Sequence, residues 1–202
     1  PVKENSKLKP INYYAFTKLI GEKKLIEFSK KSKIKYFILR FFNVCGASKS
    51  GNIGILSNKN KSLFKILSKQ SFKKNPKISL FGKKFNTKDG SCVRDFIHVG
   101  DLADIHFKLI KYVNKKNKSQ IFNCGYGKGY TILEIVNAFQ SIINKNIIIN
   151  YKRKRKGEIP ISYSDNKKIK KLLKWRPKFD NLKLMVKSSL VWEKNLKKKK
   201  YR

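Results

Sequence analysis

Apolar residues along this chain alternate between helical and strand spacing, and the switches lay out a succession of helices and strands. Asn12 is placed to cap a helix predicted from Tyr13 to Lys31, with Phe16, Leu19, Ile20 and Ile26 as its apolar face and Gly21 in the middle. A nearly unbroken apolar run then fills Lys35 to Val44, the pattern of a parallel strand buried on both faces. Helix followed by buried strand is half of a doubly wound unit, in which ligands bind beyond the carboxyl ends of the strands. Ala47 to Asn60 is polar and glycine-containing and reads as a loop between lobes. A helix over Ser62 to Phe72 and a strand over Ile78 to Phe81, closed by Gly82, come next. Phe96 to Val99 is a short β-favouring run, and Gly100-Asp101 followed by Leu102, Ile105 and Leu109 predicts a helix to about Asn114 with Asp101 as N-cap. Gln120 to Cys124 is a strand, Thr131 caps a helix through Ile143, and Ile147 to Ile149 is a strand. Helices over Ile169 to Trp175 and Leu182 to Leu196 precede a basic end.

Composition changes this picture little. With 202 residues, 40% hydrophobic and 12% aromatic, the chain has ample material for a buried core. The net charge of +38 points to a polyanion partner. The excess, however, is 44 lysines against 6 arginines, spread over nearly every segment and accompanied by many Asn and Ile. Those residues share A/T-rich codons, so genome bias accounts for the charge, and a nucleic-acid partner is not expected. Cys45, Cys92 and Cys124 lie far apart without a CxxC, which suits reduced cytoplasmic thiols and gives no metal site. No run of 18 apolar residues predicts a membrane span. Pro1 opens the chain where Met would stand, which suggests a fragment.

The candidate chemistry centres on Thr87 to His106, read as loop, strand, turn and helix, with Arg94 at the entrance to the strand. A guanidinium there offers a planar fork to carboxylate or phosphate, and a plain Arg94–Asp95 surface pair is the alternative. Tyr14 and Lys18 fall four apart on the first helix, where the ammonium favours the phenolate and lets the phenol act as a base near neutral pH. Tyr112–Lys116 and Tyr163–Lys167 share the spacing, but only the first pair precedes a buried strand. The turn Gly125-Tyr126-Gly127-Lys128-Gly129 misses the dinucleotide fingerprint by one position, leaving a phosphate-binding turn or a packing turn. Lys152 to Lys156 is a solvated charge run or a turn that offers Arg155 to an anion.

Taken in order, Tyr14-Ala15-Phe16-Thr17-Lys18 with Glu22, Arg40 to Ala47, and Thr87-Lys88-Asp89-Gly90 through Val93-Arg94-Asp95-Phe96-Ile97-His98-Val99 to Asp101-Leu102-Ala103 resemble the UDP-glucose 4-epimerases. Phe122-Asn123-Cys124-Gly125 and Leu173-Lys174-Trp175-Arg176-Pro177 agree with the same family. The resemblance implies an α/β fold, the C-terminal part of a Rossmann-like parallel sheet plus a smaller mixed α/β substrate-binding lobe. Residues 1–48 would end the NAD-binding domain, 49–193 would form mainly the sugar-nucleotide lobe, and 194–202 would be a basic tail. It also implies NAD as cofactor, a UDP-hexose as substrate, C4 epimerisation through a 4-keto intermediate, and a homodimer when complete. Related dehydratases and decarboxylases share the fold and the Tyr–Lys chemistry.

Carried over by position, Tyr14 would be the base and Lys18 its partner at the nicotinamide ribose, with Phe41 near the cofactor in place of the family's tyrosine. Asn43 would contact substrate, Ser79 and Phe81 would line the uridine pocket, and Arg94 and Arg155 would take the diphosphate. Glu158 would stand near the uridine, and Ser162 would border the sugar, its small side chain leaving room for an N-acetyl group. His98 and His106 would be structural. The glycine-rich first βα turn is absent, so the resemblance implies an upstream portion of about 100 to 150 residues and an isolated chain that does not turn over.

Overall fold

The computed structural model describes residues 1–56, 62–113 and 118–198. Its elements are α1 (Tyr13–Ser32), β1 (Phe37–Phe41), β2 (Asn43–Cys45), α2 (Leu63–Ser71), β3 (Lys77–Phe81), β4 (Val93–His98), α3 (Val99–Val113), β5 (Gln120–Cys124), β6 (Gly129–Thr131), α4 (Ile132–Ile143), β7 (Ile148–Lys152), β8 (Ile161–Ser162), α5 (Lys167–Leu173) and α6 (Leu182–Lys198). Strand pairing is mostly parallel: β1 with β5, β2 with β4, β3 with β7 and β8 with β4, while β6 joins β4 antiparallel. This is the mixed α/β arrangement that the alternating pattern predicts, and β4 is its hub, with three partners.

The run from Lys35 to Val44 is not one strand buried on both faces. Phe42 interrupts it, giving its N–H to the Cys124 carbonyl at the end of β5, and the chain then leaves β5 and takes up β4. Of β1 only Ile38 is buried, while Phe41 is 55% exposed because nothing among the described residues covers it. The first helix begins as predicted, with the Asn12 side chain accepting from the Ala15 N–H. No residue of α1 is fully buried; Ala15, Leu19, Glu22, Ile26 and Ser29 are half-buried along one side, while Phe16 and Ile20 of the expected apolar face are exposed. A single ionic fork holds its middle to the sheet: Arg40 on β1 meets Glu22 through Nε at 2.9 Å and Nη2 at 2.6 Å.

The core lies elsewhere, among Phe64, Leu67, Phe96, Ile97, Phe122, Ile135, Phe139, Trp175 and Met185. Helix α4 is set by a capping box between Thr131 and Glu134. Helix α6 continues to Lys198, so the basic end is helical as far as that residue. Between α2 and α6, Lys65 and Glu193 form a buried pair at 2.8 Å, and the Lys65 ammonium also donates to the Ile55 carbonyl, anchoring the preceding loop. Among the described residues no helix is long and apolar enough to cross a membrane.

Candidate functional site

Side chains alternate along β3, and residues of both its faces line a cavity. Ile78 and Leu80 turn into the core, leaving Lys77, Ser79 and Phe81 on the other face. Asn150 lies beside Ser79 in the register of β7. Opposite this face stand Leu63, Ile66 and Gln70 of α2, Cys92 and Arg94 at the start of β4, and Ile132 at the start of α4. With Arg155 and Glu158 from the segment after β7, they enclose a cavity of about 620 Å³. Five expected site residues, Ser79, Phe81, Arg94, Arg155 and Glu158, therefore come together from three separate stretches of chain.

The two arginines are held differently. Arg94 donates through Nη1 to its own neighbour's carbonyl at Val93 (2.8 Å) and pairs through Nη2 with Glu158 at 2.7 Å. Arg155 lies flat against an aromatic face, its Cζ 3.8 Å from the Phe81 ring centroid. The charge run Lys152 to Lys156 thus does present Arg155 to the cavity. The alternative Arg94–Asp95 pair does not form, because adjacent residues of a strand point to opposite faces. Asp95 is fully buried and accepts from the backbone N–H groups of Tyr126, Gly127 and Ser164 and from the Ser164 hydroxyl.

That network also settles the glycine-rich turn. The N–H groups of Tyr126 and Gly127, which a phosphate would need, are occupied by the protein's own carboxylate. At Gly125 a Cβ would collide with Asp95 and the Ser164 hydroxyl, so glycine is required there for close packing. The turn is a packing turn.

Asp101 is not an N-cap. It lies within the first turn of α3, fully buried, and accepts from Lys178 N (2.9 Å), Phe179 N (2.8 Å) and the Tyr126 hydroxyl (2.6 Å). Burial, and then donation to Asp101, push the Tyr126 phenol well above its ordinary range, so it stays protonated as a donor. Burial costs Asp89 some acidity, but hydrogen bonds from Thr131 and Ser91 outweigh it and hold the carboxyl below the usual range.

Both histidines are structural in their contacts. The Gly100 N–H donates to His98 Nδ1, so the ring proton sits on Nε2 and reaches Ser188 Oγ at 3.0 Å. Phe179 stacks on the ring with centroids 4.4 Å apart, and burial lowers the imidazole's pKa. His106 Nδ1 meets the Leu102 carbonyl at 2.8 Å.

The remaining expected site residues do not line the cavity. Tyr14 is 72% exposed on α1, with Lys18 Nζ 5.2 Å from its ring centroid. Phe41 is exposed at the carboxyl end of β1 and Asn43 at the start of β2. Ser162 is half-buried, paired in register with Arg94. Of the other two Tyr–Lys pairs, Lys116 lies outside the described residues, and Tyr163 follows β8 while Lys167 opens α5. Sequence reasoning missed Gln70, Lys77, Cys92 and Asn150 in the cavity wall. The period of two along β3 points to Lys77, whereas nothing local marks Gln70 or Asn150.

The chain is similar to known proteins over nearly all of its length. The chain is 33% identical over 196 residues to a UDP-glucose 4-epimerase of Azospirillum brasilense, covering 97% of this chain and 56% of that protein. It is 35% identical to one of Lactobacillus helveticus, covering 96% and 59%. It therefore spans less than two thirds of the length of these relatives. A UDP-glucose 4-epimerase structure from Stenotrophomonas maltophila with bound NAD and formylated UDP-arabinopyranose superposes with a TM-score of 0.92 at 26% identity, covering 98% of this chain and 59% of that one. Another, from Bifidobacterium longum in complex with NAD+ and UDP, gives 0.90 at 30% identity, with 96% and 58% covered. The model of the NAD dependent epimerase/dehydratase family matches residues 1–125, and the chain belongs to that family.

Proposed function

We propose that this chain supplies the sugar-nucleotide lobe and the proton-handling Tyr–Lys pair of an NAD-dependent UDP-hexose 4-epimerase. The observation that carries the reading is the cavity that gathers Ser79, Phe81, Arg94, Arg155 and Glu158. Its chemistry suits a nucleoside diphosphate: an aromatic face, an adjacent acid, and two guanidinium forks for a dianion. An enzyme that turns the hexose over must grip the nucleotide firmly and the sugar loosely, and the two arginines provide a grip remote from the reacting carbon. Ser162, small and beside Arg94, leaves space for an N-acetyl substituent, and Asn43 contacts the sugar.

Tyr14 removes the hexose 4-hydroxyl proton, and Lys18 holds the phenolate form and the nicotinamide ribose. Their open position on α1, with Phe41 equally open at the end of β1, fits a cofactor approaching from that side. NAD, when bound, accepts and returns the hydride at C4. Residues 1–48 end the cofactor domain, 49–193 form mainly the substrate lobe and 194–202 are its basic tail. Turnover requires a nucleotide-binding portion beyond these 202 residues, and the completed enzyme is a cytoplasmic homodimer whose reduced thiols match that setting.

Calorimetric titration with UDP tests the nucleotide half. Binding should occur to this chain, and Arg94→Ala or Arg155→Ala should weaken it by about 10- to 100-fold, the value of a lost charge-assisted hydrogen bond. Absence of UDP binding overturns the reading. In the completed enzyme, Tyr14→Phe should lower turnover of UDP-galactose by about 10²- to 10⁴-fold. A product that has lost water or carbon dioxide would place the activity with the dehydratases or decarboxylases instead.

A further inference from the structure

We infer that Asn150 reads the hydrogen-bonding edge of the pyrimidine base in this cavity; this rests on the nucleotide reading above. The argument begins with distances along β3. Arg155 is stacked on Phe81, and Arg94 pairs with Glu158 in the same wall, so the anion-binding end of the cavity lies at the Phe81 end of the strand. Two residues back along a strand is roughly 7 Å, which places Ser79 one nucleoside step away from the phosphates. Asn150 is the registered partner of Ser79 on β7 and lines the same cavity.

The polar groups available at that step are few. Gln70 is already engaged, its side-chain carbonyl accepting from the Lys77 N–H at 3.3 Å. The side chain of Asn150, by contrast, makes no hydrogen bond among the described residues. Its amide offers one acceptor and two donor hydrogens, the complement of a ring that presents donor and acceptor side by side. Uracil shows its N3–H between two carbonyls, and the amide can meet the N3–H and one carbonyl together. Cytosine shows an amino group beside a ring-nitrogen acceptor, which the rotated amide also meets. A carboxylate at the same place has acceptors alone; it accepts freely from the outer hydrogen of the cytosine amino group, whereas the uracil N3–H lies between two carbonyls that repel it.

The test is titration of UDP and CDP into the chain and its variants. Asn150 lies exposed on β7, and matched thermal melts establish that the variants fold. Asn150→Asp should shift the UDP-to-CDP affinity ratio toward CDP by about 10-fold or more, and Asn150→Ala should weaken both nucleotides by about 5- to 10-fold. If UDP binds and Arg94→Ala weakens it while the ratio stays within twofold in both Asn150 variants, this inference is overturned and the nucleotide reading stands. If the unaltered chain binds neither nucleotide, the nucleotide reading falls and this inference with it.

Discussion

Asp95 and Asp101, in the segment that carries Arg94, are fully buried and accept four and three hydrogen bonds, whereas along α1, which carries Tyr14 and Lys18, no side chain is buried. The first region is completed by the chain itself. Its donors come from the turn after β5, from the segment before α5 and from the approach to α6, so Arg94 projects from a strand whose neighbours are fixed from several sides. The second region is held by an arginine–glutamate fork and a half-buried stripe, and its Tyr14 and Lys18 face outward. The difference separates two requirements of the proposed reaction. Gripping a nucleotide needs pre-set geometry, which this chain provides. Moving a proton needs a closed site, which α1 does not make alone.

The contrast can be broken at several points. Asp95→Ala should have the largest effect on stability, because it leaves three buried N–H groups and the Ser164 hydroxyl without an acceptor. A loss of about 4 kcal/mol or more in chemical denaturation is expected; a loss under 1 kcal/mol would mean that the buried network does not hold the cavity wall.

A smaller effect comes from His98. Its folded pKa lies below the ordinary value through burial, so between the two values the unfolded chain carries a proton that the folded chain does not. The stability contribution is complete above the ordinary histidine value and is lost as pH falls toward the folded one, at no more than about 1.4 kcal/mol per pH unit. In His98→Asn, whose side-chain oxygen can still accept from the Gly100 N–H, that part of the slope should vanish when unfolding is followed between pH 7 and 5.

The smallest change is expected on α1. Tyr14→Ala should alter the unfolding free energy by less than about 0.5 kcal/mol, as for exposed positions generally. The same site should dominate turnover in the completed enzyme. A large stability cost there would show that α1 is packed in solution and that the comparison is misdrawn.

What the sequence disclosed follows the same division. Caps are local, and both Asn12 and Thr131 act where they were expected, because their partners lie three residues away. Arg94 and Arg155 were legible as candidate anion ligands from a family motif and a charge run, and both line the cavity. Asp101 was misread because its acceptor role depends on Lys178 and Phe179, far along the chain, and no local signal distinguishes that from an N-cap. The Lys35 to Val44 run was misread as one strand because hydrophobicity records burial and not the neighbour to which each segment is bonded. Asn150 went unnoticed because its meaning depends on registration with Ser79 across two strands that sequence does not align.

The bridge between Val2 and Ser164 has a consequence for how the chain assembles. Val2 donates to Tyr163 and accepts from Asp165 and Asn123, while Glu4 accepts from the backbone of Asn123. A segment at the start of the chain therefore finds its partners only after about 160 further residues have emerged, and contacts so distant in sequence are slow to close. Until β5 and the stretch around Ser164 have formed, Val2 and Glu4 lack these hydrogen-bond partners.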